Sequence, residues 1–130
     1  MGDITFSRWI PSACSRSTTG NLHSREWDAF GHCWIGCEGS RACGNTPTNI
    51  AGTTRELYRE YQRITGTRPH DSFSQDMANQ SVGRSLSYTK GTCYSLCDSA
   101  HATRTLDLSA PVATCINCAD ITAGEGSCPP

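Results

Sequence analysis

His32 is the side chain in this sequence best suited to moving a proton, because imidazole ordinarily titrates near neutral pH. Asp28 stands four residues before it. On a helix the two share a face, and a carboxylate there can orient the ring and raise its basicity, as a general base requires. A second polar set lies in DMANQSVGR, where Asp76, Asn79 and Gly83 follow i, i+3, i+7 and Arg84 comes next. That spacing makes one helical stripe. Its carboxylate can act with the histidine, Asn79 and Arg84 can position a substrate or stabilise developing negative charge, and Gly83 lets another group come close. Glu56, three residues after Thr53, fits the far end of a capping box and can also serve as a second acid/base or a metal ligand. Each has a plain structural alternative: an exposed Asp–His pair, a helix cap, a packing seam with one satisfied polar pair.

The cysteines set the frame around these groups. Cys33-x-x-x-Cys37 and Cys93-x-x-x-Cys97 have the same spacing, so each pair lies on one face of a helix. Two such helices lying antiparallel could join by two disulfides, for example Cys33 to Cys97 and Cys37 to Cys93. Cys115-x-x-Cys118 has the spacing of a zinc knuckle, but no second C-x-x-C pair exists to complete it. These two are also disulfide candidates, and Cys14 is placed to pin the N-terminal arm. No cofactor is certain; a divalent metal is compatible with the acidic candidates. Calcium loops of the EF-hand type, G-x-S-x-G elbows and phosphate loops are absent from the sequence.

The bulk numbers agree with a small cross-linked domain. Nine cysteines in 130 residues approach the density of disulfide scaffolds, and hydrophobic residues make up only 36%. Cross-links worth roughly 2–4 kcal/mol each would support so thin a core. Such chemistry belongs outside the reducing cytosol, and the odd count leaves at least one thiol free or intermolecular. A formal charge of −1 and a pI near 6.4 provide no footprint for a nucleic-acid partner. MGDITFSRWIPSAC lacks the apolar core of a signal peptide. A route of delivery that needs no signal, or excision from a longer precursor, is therefore expected.

The elements that must position these residues are short helices. Ser24 can cap a helix running to about Cys43, with Gly44 as its stop. Trp27, Phe30, Trp34 and Cys37 form one face of it, with Asp28 and His32 roughly opposite. Gly31, Gly36 and Gly39 inside it weaken the helix and suggest that another backbone or a ligand comes close. Residues 45–52 read as a loop. A second helix is expected from about Thr54 to Thr65, a third from Asp71 or Ser72 to Leu86, and a fourth from Thr92 to Ala102. Val112 to Ile116 could form a short strand. The expected fold is mainly α: a single disulfide-stapled bundle of three to four short helices over 24–102, with an irregular arm at 1–23 and a cysteine-rich irregular tail at 103–130.

The string WDAFGHCWIGC, then Ala42 and Gly44, then Glu56, then DMANQSVGR resembles C-terminal toxin domains of bacterial Rhs-type polymorphic toxins. The likeness runs from Asp28 to Cys97. Carried over residue by residue, that family's polar set falls on Asp28, His32, Glu56, Asp76, Asn79, Gly83 and Arg84. Gly31 stands where Arg is usual, Arg55 where a second His often precedes the Glu, and Gln80 where a second Asn is usual. The resemblance implies an antibacterial effector delivered into rival cells, often by type VI secretion. It implies a parent Rhs protein as secretion-machine carrier and a cognate immunity protein as partner.

Together these readings point to a hydrolase acting on a cell-envelope substrate, phospholipid or peptidoglycan, in the target periplasm. His32, Asp28, Glu56 and Asp76 would be its catalytic groups, with Asn79 and Arg84 on the substrate. A His and an Asp on disulfide-linked helices also resemble the secreted phospholipases. Their glycine-rich calcium loop is missing here, however, and Cys33 stands where their Asp should follow the His. The alternatives are a non-enzymatic membrane-permeabilising toxin, a disulfide-rich secreted binding module and, more weakly, a nuclease.

Overall fold

Two glycines, Gly36 and Gly83, decide how closely two of the helices meet. In the computed structural model, which describes residues 3–44, 46, 73–110 and 114–129, the chain forms α1 (Asp3–Ser15), β1 (Asn21–His23), α2 (Ser24–Cys43), α3 (Phe73–Leu86), α4 (Cys93–Ala102), β2 (Cys115–Asn117), a 3-10 turn (Ile121–Ala123) and β3 (Glu125–Gly126). The fold is mainly helical with a small antiparallel sheet, and four disulfides staple it. The expected helix over 54–65, with Glu56, lies outside the described residues.

The central helix α2 keeps the bounds its sequence suggests, and Gly44 ends it at a positive φ of 84° with its N–H on the Ser40 carbonyl. Its cap shifts by one residue. His23 is the N-cap, and Glu26 reaches back to accept the His23 N–H at 2.8 Å. Ser24 is instead buried against the C-terminal segment. Its N–H donates to the Thr114 carbonyl and its hydroxyl accepts from Thr114 N–H. At the other end, Arg41 donates to the carbonyls of Ser87, Thr89 and Gly91, so one guanidinium holds the turn between α3 and α4.

The expected pairing across α2 and α4 is present: Cys33–Cys97 and Cys37–Cys93, with Cα separations of 5.9 and 5.7 Å. Thr92 caps α4 by accepting Ser95 N–H. Cys115 and Cys118 do not pair with each other. Cys115 joins Cys128 and Cys118 joins Cys14, so neither sulfur is available to a zinc ion. Cys43 is the odd thiol, exposed at the end of α2.

The N-terminal arm is not irregular. Residues 3–15 are helical despite Pro11, an interior proline that ordinarily breaks a helix. Burial of the Trp9/Ala13 face outweighs that cost. Trp9 is fully buried, stacks on Phe30 at 4.5 Å between ring centroids, and donates from Nε1 to Asp98. The sheet is equally short-ranged in sequence signal. β1 pairs with β2, bringing buried Leu22 opposite Ile116, and β2 pairs with β3. The C-terminal tail is thereby part of the fold.

α2 and α3 cross at backbone contact. A Cβ on Gly36 would strike the Gln80 carbonyl, and one on Gly83 would strike the Cys33 carbonyl and the Cys37 nitrogen. The close approach anticipated from glycines in both helices is thus to each other's backbone. Gly83→Ala should destabilise the protein by about 1–3 kcal/mol or more through overpacking. Ser81→Ala, at an exposed position on the same helix, should stay within about 0.5 kcal/mol. Denaturant unfolding of both variants checks this.

Candidate active site at a helix crossing

His32 is one turn before Gly36 on α2, so the glycine contact sets its ring against α3. The ring is 4% exposed. Its Nε2 lies 3.3 Å from Asp76 Oδ1, and its Nδ1 lies 3.0 Å from Gln80 Nε2. Asp76 and Gln80 are one turn apart on α3 and take the two sides of the imidazole. With the Gln80 amide donating, Nδ1 accepts and the ring proton sits on Nε2, facing the carboxylate. Gln80 Oε1 is buried with no hydrogen-bond donor among the described residues, a cost unless a water or hydroxyl meets it.

Of the two carboxylates that could orient His32, Asp76 is the one whose contact with the ring is seen. It is 4% exposed, whereas Asp28 is exposed one turn earlier on α2. Asn79 does other work than the substrate contact expected of it. It is fully buried, its Nδ2 donates to the Asp107 carbonyl at 2.9 Å, and its Oδ1 accepts Asp107 N–H at 2.7 Å. Gln75 holds the same tail segment, accepting Ala110 N–H at 2.7 Å. Arg84, one turn beyond Gln80, is half-buried, and its Nη1 has no acceptor among the described residues.

A second polar cluster, at the start of α2, has no motif in the sequence. His101 Nε2 lies 2.9 Å from Glu26 Oε1, and His101 Nδ1 lies 2.9 Å from Arg16 Nη2. A guanidinium can only donate, so His101 Nδ1 accepts and its proton on Nε2 is given to Glu26. Arg16 also pairs with Asp98 at 2.7 Å. Burial opposes the charged form of Glu26, but the hydrogen bonds from the His101 side chain and the His23 backbone, with the favourable electrostatics of these two neighbours, outweigh it and hold the carboxyl below its ordinary value of 4.5. Sequence could not have joined these groups: Glu26 and His101 are 75 residues apart.

Among the described residues no group of three or more His, Cys, Asp and Glu side chains converges as a metal site. No family model matches the chain, and searches of characterised proteins and solved structures found no match.

Two outcomes follow. Asn79→Ala should cost about 2–4 kcal/mol, because it leaves the Asp107 N–H and carbonyl unsatisfied; urea unfolding measures it. Glu26 is a group whose folded pKa is depressed, so its contribution is present above its unfolded value and is lost as pH falls through the folded one. The stability gap between the protein and Glu26→Gln should therefore be full at neutral pH and shrink below about pH 4.5, as read by unfolding at a series of pH values.

Proposed function

We propose that this chain is an antibacterial effector domain acting outside the cytosol as a hydrolase, with His32 as general base and Asp76 as the carboxylate that orients it. The observation that carries the reading is the buried His32–Asp76 pair at the glycine crossing of α2 and α3. Four disulfides among nine cysteines suit an oxidising compartment, and the likeness to Rhs toxin domains supplies the context. In that context the substrate is a phospholipid or peptidoglycan bond of the target envelope, the parent Rhs protein is the carrier, and a cognate immunity protein protects the producer.

The chemistry follows from the two sides of the ring. A water displacing the Gln80 amide would donate one hydrogen bond to His32 Nδ1, and Gln80 Oε1 is a ready acceptor for its second. As the oxygen attacks a carbonyl or phosphoryl centre, its proton passes to Nδ1, and Asp76 offsets the imidazolium charge through Nε2–H. The imidazolium then returns the proton to the leaving group, an ester oxygen in a phospholipid or an amide nitrogen in a peptidoglycan crosslink. Arg84, whose Nη1 has no acceptor among the described residues and lies one turn from Gln80, is suited to the developing negative charge.

A secreted binding module is the second reading. It is favoured by the engagement of both His32 nitrogens and by the use of Gln75 and Asn79 to hold the tail. The permeabilising reading has less support: among the described residues no helix is long and apolar enough to cross a membrane.

Expression in a bacterial host, directed either to the periplasm or to the cytoplasm, tests these readings. Killing is expected only from the periplasm. Turnover of the envelope substrate should fall about 100- to 10,000-fold on His32→Ala, with the fold retained. A folded His32→Ala protein that still kills contradicts the hydrolase. Absence of killing in either compartment favours the binding module.

A further inference from the structure

A cleft of about 350 Å³ opens where the end of α1, the start of α2 and the end of α4 meet, and neither His32 nor Asp76 lines it. Its walls carry Arg16, Arg25 and Arg104 with His23, His101 and Glu26. Three guanidiniums face one carboxylate in a chain whose formal charge is −1, so positive charge is concentrated here against the trend of the whole molecule. The carboxylate is already committed: His101 meets Oε1, and the His23 N–H donates to Oε2. Of the three guanidiniums, Asp98 pairs with that of Arg16. Arg25 and Arg104 make no ion pair among the described residues, and Arg25 Nε is buried without an acceptor.

Arg104 is a more specific sign. It has a φ of 59°, the one non-glycine residue at positive φ among those described. The Thr105 N–H donates to the Ala100 carbonyl and the Arg104 N–H to the His101 carbonyl, the paired bonds of a helix end that ordinarily carries glycine at this place. A residue with a Cβ takes this conformation at a cost. Here the side chain held there is an arginine on the wall of a cationic cleft.

We propose that this cleft binds a phosphate group carried on a small ester, free or as a lipid headgroup. Guanidiniums on separate walls match an anion that presents several oxygens in different directions, whereas a carboxylate would be served by one planar fork. The volume exceeds that of bare phosphate and lies in the range of small-ligand sites, which leaves room for the esterified group. The proposal uses no residue of the His32 site and stands whether or not that site is catalytic.

The test is titration of the full chain with glycerol phosphate by calorimetry, alongside sedimentation with phosphatidic acid vesicles and with phosphatidylcholine vesicles. Saturable binding to glycerol phosphate or to phosphatidic acid vesicles, absent with phosphatidylcholine alone, is expected; the probe that binds identifies the source. Arg104→Gly should weaken binding about tenfold or more, as loss of a charge-assisted contact does, while Tm stays equal or rises because the positive φ then costs nothing. Arg25→Gln should weaken it comparably and serves as the second variant if Arg104→Gly alters the fold. Absence of saturable binding to either phosphate probe overturns the proposal. Binding unchanged in both folded variants does so too.

Discussion

The backbone contact between α2 and α3 at Gly36 and Gly83 is the constraint on which the rest of the structure depends. Without a Cβ at either place, the carbonyls of Gln80 and Cys33 lie against the opposite helix. That approach sets the His32 ring between Asp76 and Gln80. It also fixes α2 on one side while the Cys33–Cys97 and Cys37–Cys93 bridges, one turn apart, fix it to α4. The bridges act chiefly by restricting the unfolded chain, whereas the glycine contact defines geometry in the folded one. A buried charged or polar pair is tolerable only where such geometry is good.

This explains an unusual helix. α3 buries Gln75, Asp76, Asn79 and Gln80, four polar side chains in six residues, where an apolar stripe would be ordinary. They divide into two tasks. Asp76 and Gln80 meet His32, while Gln75 and Asn79 hold the backbone at Ala110 and Asp107. The tail is thus fastened to α3 by side-chain hydrogen bonds and to α2 through Ser24 and Thr114. Cys14–Cys118 then fastens it to the end of α1.

What could be read from the sequence follows the range of each interaction. The bounds of α2, the extent of α3 and α4, and one possible pairing of the four C-x-x-x-C cysteines are carried by spacings of three and four residues and by Gly44. α1 was hidden because Pro11 stands in its interior and, among the side chains described in it, only Trp9 and Ala13 are buried. Of the sheet, only the possible strand over Val112 to Ile116 was legible, and it overlaps β2 at Cys115 and Ile116; β1 and β3, of three and two residues, are too short for an alternating pattern. Cys118 pairs 104 residues away with Cys14, and nothing local distinguishes that bridge from a metal knuckle. At the site, the i, i+3, i+7 spacing put Asp76, Asn79 and Gly83 on one face of α3, but it could not tell Asp76, which meets His32, from Asn79, which meets the tail. The His101–Glu26–Arg16 cluster is wholly tertiary and had no signal at all.

Two polar centres therefore lie along α2, one closed around His32 and one open beside Glu26. The functional account turns on His32 having an acceptor nitrogen directed away from Asp76. Nitrogen-resolved NMR of the histidine rings in the folded protein measures this most directly. The account predicts His32 with its proton on Nε2 and an unprotonated, acceptor Nδ1 at neutral pH. A ring with its proton on Nδ1, or on both nitrogens, would leave no base for the reaction and would contradict it.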